Sequence, residues 1–98
     1  MSEGEYLAVL VSVSDAKAGA SMGRTLVEER LAGCVQVIPS GIAIYRWQGV
    51  LYNDAQTQLI NKTTRAAWPA LRARIVELHS DEVPEILALP VPCPSAEA

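Results

Sequence analysis

Hydrophobic and polar positions along this chain change their period four times, and each change predicts the edge of an element. Residues 6–13, Tyr-Leu-Ala-Val-Leu-Val-Ser-Val, are mostly apolar and β-branched, which predicts a central strand buried on both faces. Ser14 or Asp15 can then cap a helix. Within it Ala18, Met22, Leu26, Val27 and Leu31 recur at spacings of three and four, while Lys17, Arg24, Glu28 and Arg30 fall largely elsewhere; Gly33 predicts its end. From Cys34 to Trp47 the pattern turns to alternation, with Ile42, Ile44 and Arg46 set against Ala43, Tyr45 and Trp47. Gln48-Gly49 predicts a turn and Val50 to Lys62 a returning arm, so this segment reads as one long β-hairpin. A second helix carries the stripe Leu71, Ile75 and Leu78, and Pro69, tolerated only in a first turn, places its start near Trp68. Glu85 to Val91 predicts a last strand. Residues 92–98 are proline and small polar residues, the composition of a mobile tail.

The order strand, helix, strand, strand, helix, strand predicts an α+β, ferredoxin-like fold: a four-stranded antiparallel sheet with both helices on one face. The first and third strands are expected at the centre and the second and fourth at the edges, where Pro39 and Pro90 are tolerated. Each hairpin arm is about twice the usual five or six residues of a strand, so part of it must overhang its own sheet. The overhang carries Tyr45, Trp47, Leu51 and Tyr52, and an apolar projection of this kind predicts cover from another chain. The 98 residues, half of them hydrophobic, make a single domain, 1–98, with its core in 5–91.

Charge narrows the partners. The formal net charge is −3, so no basic field draws phosphate backbones; Arg65, Arg72 and Arg74 form only a local cluster, and nucleic acid is not an expected partner. Residues 1–5 are acidic and polar rather than signal-like, and no apolar run reaches the ~18 residues of a membrane span, so a cytoplasmic protein without a membrane partner is expected. Cys34 and Cys93 form no Cys-x-x-Cys pair and are expected as free thiols.

Five blocks carry a resemblance: residues 26–39, Leu-Val-Glu-Glu-Arg-Leu-Ala-Gly-Cys-Val-Gln-Val-Ile-Pro; 44–49, Ile-Tyr-Arg-Trp-Gln-Gly; Asn61-Lys62-Thr63; 77–86, Glu-Leu-His-Ser-Asp-Glu-Val-Pro-Glu-Ile; and Ala88-Leu89-Pro90. In this order they resemble the CutA family of divalent-cation tolerance proteins over about residues 6–91. The resemblance implies a ferredoxin-like subunit, a homotrimer joined through extended edge strands, a link to tolerance of copper and other divalent metals, and an architecture akin to that of the nitrogen-regulatory PII trimers. The chain also departs from the family. Ser80-Asp81 stand where relatives have Pro-Tyr after the histidine, Gln56 replaces an acidic residue, and Thr57, Gln58 and Asn61 dilute an apolar run. The family's C-terminal helix is not expected in this sequence.

Candidate chemistry is sparse. There is no Gly-rich phosphate loop, no nucleophile with a base at a recognisable spacing and no His-x-x-x-His pair, so an enzyme is not expected. His79 is the one histidine. With Asp81 and Glu82 behind it, it offers imidazole and carboxylate to divalent copper or zinc; its other reading is a helix-end residue favoured by the macrodipole. Cys34 is the soft donor, suited to monovalent copper, or else a small apolar residue at a strand start. Tyr45 and Trp47 either wall a ligand cleft between subunits or pack there, and Lys62 either meets an anionic ligand or pairs across the interface with Glu82 or Glu85. Two functions remain: a non-catalytic trimer binding copper or another divalent cation without an organic cofactor, and a PII-like regulatory or scaffolding trimer binding a small anion or nucleotide at its subunit interfaces.

Overall fold

The computed structural model describes residues 5–95. Its elements are β1 (Tyr6–Val13), α1 (Ala16–Glu28), β2 (Cys34–Trp47), β3 (Val50–Thr64), α2 (Trp68–Leu78) and β4 (Ile86–Val91). The sheet order is β2-β3-β1-β4 with every pair antiparallel, so β1 and β3 are central as the pattern predicts. Pro39 and Pro90 lie on edge strands, where a missing N–H is tolerated.

Both helices close one face. Leu7, Val9, Val11 and Val13 of β1 join Leu59 of β3, Met22 and Leu26 of α1 and Leu71 and Ile75 of α2 in a single core. β1 is therefore buried on alternate positions, not on both faces as its composition predicts; Tyr6, Ala8, Leu10 and Ser12 are only half-buried. The reason is that none of the described residues covers the second face.

Asp15 caps α1, its carboxylate accepting the Ala18 N–H at 2.8 Å. The buried face of α1 is Gly19, Met22, Gly23 and Leu26, which corrects the predicted stripe: Ala18 and Val27 are exposed. A β-carbon on Gly19 would lie 3.1 to 3.2 Å from Thr57, Leu59 and Val37, so the two glycines let the helix backbone settle on β2 and β3. The helix ends earlier than Gly33 predicts. Arg30 takes φ 61°, with Leu31 N–H bonding Leu26 O and Arg30 N–H bonding Val27 O, the pair of bonds that closes a helix through a left-handed residue. An arginine there bears strain that glycine would not. Arg30→Gly is expected to raise stability by about 0.5–1 kcal/mol, read as a higher midpoint in urea.

Pro69 sits in the first turn of α2, and Arg74 reaches back from that helix to grip Glu29 with two nitrogens at 2.9 Å. Hydrogen bonding to Arg74 holds the Glu29 carboxyl below its ordinary range. The last strand starts at Ile86, one residue later than predicted, and residues 92–95 leave the sheet without regular structure. The rest of the expected mobile tail, residues 96–98, lies outside the described residues.

Candidate functional site

Register along the uncovered face arranges side chains in rows across the strands. One row is Cys34, Lys62, Ala8 and Leu89, the next Gln36, Ile60, Leu10 and Leu87, and the third Ile38, Gln58 and Ser12. Leu87 and Leu89 are half exposed, and so is Ile38. An aliphatic sheet face left open to this degree is a surface that a partner covers in most proteins.

The hairpin extends beyond this face. β1 pairs with β3 only from Thr57 to Thr64, so residues 50–56 of β3 find their partners in residues 41–47 of β2 alone, an overhang of roughly 23 Å at the usual rise per residue. Gln48 and Gly49 close it with φ 49° and 80°, the doubly left-handed turn that suits the twist of two-residue hairpins. A bulge between Ile38 and Gly41, with Ser40 at φ 65°, adds one residue to β2. This extra residue reverses the alternation. Val35 and Val37 pack toward α1 before the bulge, whereas Ile42 and Ile44 occupy that side after it, leaving Tyr45 and Trp47 on the open face. Both sides of the overhang are apolar: Ile42, Ile44 and Leu51 on one are 63 to 67% exposed, and Trp47 on the other 61%.

At the root of the hairpin the sequence-selected residues come together only in part. The His79 side chain is 3% exposed. Its Nε2–H donates to Ser12 O at 2.7 Å, and its Nδ1 accepts the Asp81 N–H at 3.0 Å. Both ring nitrogens are thereby engaged, which fixes the neutral imidazole and ties the end of α2 to the end of β1. Beside it lies a cavity of about 410 Å³ lined by Leu10, Ser12, Tyr45, Gln58, His79 and Glu85 among others. A second recess of about 300 Å³ shares Ser12, His79 and Asp81 with it and adds Asp54.

Cys34 is elsewhere. It pairs with Lys62, whereas the Ser12 that holds His79 pairs with Gln58, four residues along β3 or about 13 Å away. Among the described residues no group of three or more His, Cys, Asp and Glu side chains is gathered closely enough to hold a metal, so the predicted set His79, Cys34, Asp81 and Glu82 does not form one site within a chain. Lys62 is exposed on the open face with no ion pair among the described residues, Glu82 and Glu85 are exposed, and Cys93 is an exposed thiol beyond β4. Trp68 is half-buried against the core, as a helix-start anchor should be.

One functional neighbour went unread in the sequence. The Tyr45 hydroxyl donates to an Asp54 carboxylate oxygen, and the Tyr45 ring stacks on Tyr52 with centroids 5.4 Å apart. The signal was available, because the two-residue turn sets Tyr45 opposite Tyr52 and Ala43 opposite Asp54, making Tyr45 and Asp54 diagonal neighbours. This hydrogen bond, helped by burial and by the charge of Asp54, pushes the Tyr45 hydroxyl above its ordinary value. The bond's contribution is accordingly intact below the ordinary tyrosine range and lost as pH rises through the raised value. Asp54→Asn should return Tyr45 toward ordinary titration, followed by tyrosinate absorbance.

A model of the CutA1 divalent ion tolerance protein family matches residues 7–97. The chain belongs to the CutA family. A CutA divalent-cation tolerance protein of Thermus thermophilus is 45% identical over 83 residues, covering 85% of this chain and 81% of that protein. A solved CutA1 structure from the same organism superposes with a TM-score of 0.84 at 43% identity, over 88% of this chain and 84% of the other. The chloroplastic CutA of Arabidopsis thaliana is 33% identical over 87% of this chain, which spans about half of that longer protein, 47%. CutA structures thus share the ferredoxin-like sheet and helices described above, and the family is named for tolerance of divalent cations.

Proposed function

We propose that the chain acts as a homotrimer that binds divalent cations, copper among them, in a non-catalytic role in cation tolerance. The observation that carries this reading is the hairpin overhang, apolar on both sides and continuous with an open aliphatic sheet face. A projection with two apolar sides calls for cover on each. A closed ring of copies supplies it, since each hairpin can lie between its own sheet and its neighbours.

Cation binding in this reading falls to the exposed carboxylates of Asp81 and Glu82, completed by donors from a neighbouring copy. His79 joins them only by giving up the Asp81 N–H. Cys34, at the far end of the face beside Lys62, is a separate soft donor suited to monovalent copper. Calorimetric titration under reducing conditions tests the assignment. Asp81→Asn with Glu82→Gln should weaken divalent copper by at least about tenfold, and Cys34→Ser should weaken monovalent copper by a similar factor. Because binding requires deprotonated donors, affinity should fall as pH is lowered. Unchanged isotherms in both variants would remove these ligands while leaving the assembly untouched.

A further inference from the structure

The open face is not uniform in charge. Asp54, Asp81 and Glu85 surround the two recesses at the hairpin root, and among the described residues none of them pairs with a lysine or arginine. Asp54 accepts from Tyr45, and Asp81 lies 3.9 Å from an imidazole nitrogen that is already accepting a hydrogen bond and so carries no charge. Glu85 has no partner in any described contact. Covering this end of the sheet with another copy would strip water from these carboxylates, and a buried carboxylate is tolerated only when a cation arrives with the surface that covers it.

The incoming surface has one such cation. Between Ile42 and Ala55 the overhanging hairpin carries a single basic residue, Arg46, paired with Leu51 near its tip on the side of Ile42 and Ile44, opposite Tyr45 and Trp47. Among the described residues Arg46 makes only a long 3.5 Å contact from Nη1 to Gly49 O, which leaves the rest of its planar fork of donors to grip a carboxylate. Lys62 is a cation on the open face, but it sits in the Cys34 row, on the sheet rather than on the part that projects beyond it.

We propose that Arg46 of one copy seats at the hairpin root of the next, in the recess lined by Asp81 and Glu85, pairing with Glu85, while Asp54 lines the adjoining recess. The aromatic and aliphatic tip supplies the area of contact, and Arg46 supplies its register, because charge pairing penalises a shifted or reversed approach. This inference rests on the trimer reading and adds the contact that orients it.

The test is a charge swap on the full chain in a chelating buffer, with the trimer dissociation constant read by analytical ultracentrifugation. Arg46→Glu and Glu85→Arg should each weaken the trimer about tenfold or more, and the double variant should recover most of the loss. Arg46→Gln, which removes charge without reversing it, should show a smaller loss that shrinks at high salt. Additive losses in the double variant, or an Arg46→Glu trimer as tight as the parent, would overturn the pairing. So would a dominant effect of Lys62→Gln, or a parent trimer that holds only when copper is added. If Arg46→Glu is silent while Trp47→Asp disrupts the trimer, the pairing fails and the assembly stands; a monomeric parent would sink both.

Discussion

Replacing Trp47 by Asp is expected to turn the proposed trimer into folded monomers at micromolar concentration. Trp47 lies on the overhang with 61% of its surface exposed in the single chain and contributes nothing to the core, so the variant chain should fold as before. In the proposed trimer the ring is covered, and an aspartate there would be a carboxylate desolvated without a partner, at several kcal/mol. At 1.4 kcal/mol per tenfold, this is at least about a thousandfold in the dissociation constant. Light scattering with circular dichroism on the same samples checks both halves of the claim. A variant that keeps the parent mass would deprive the hairpin of its assigned role.

The second large effect is expected from His79→Ala in the metal-free protein. The buried ring bridges Ser12 O and the Asp81 N–H, so its removal leaves an acceptor and a donor without partners beside a cavity where the imidazole stood. A loss of about 2–4 kcal/mol is expected in urea unfolding. His79→Gln, whose amide can still donate toward Ser12 O, should recover part of it. A histidine acting as a metal ligand alone would behave differently: the metal-free variant would unfold like the parent and only the copper isotherm would change. The largest cost should therefore appear without metal, because both nitrogens are occupied before any metal arrives.

Sequence periodicity located every element, with edges displaced by one or two residues except at the end of α1, which stops at Glu28 rather than near Gly33, and it placed Pro69 in a first turn and both edge prolines correctly. It erred where a backbone conformation, not a side chain, makes the decision. Arg30 closes α1 in a left-handed conformation that its side chain does not advertise, and Gly19 and Gly23 belong to the buried face of α1 because they lack side chains, which a hydrophobic stripe cannot register. The resemblance to the CutA family was equally legible, because it lies in short blocks whose order survives substitution between them.

The candidate site was legible residue by residue and not as an arrangement. Sequence spacing brings His79 close to Asp81 and Glu82, and this much follows from chain connectivity. Whether His79 faces solvent or Ser12 O depends on where α2 ends against β1, across sixty-seven residues of chain. The separation of Cys34 from His79 depends likewise on strand register, and the face to which Tyr45 and Trp47 belong depends on one extra residue in a bulge. The sequence by itself determined the order of elements, the length of the hairpin and the excess of apolar surface on it, since these are local consequences of side-chain periodicity. Only the tertiary structure decided which side chains meet, because a shift of one residue in strand pairing carries every later side chain to the opposite face while leaving the alternating pattern unchanged.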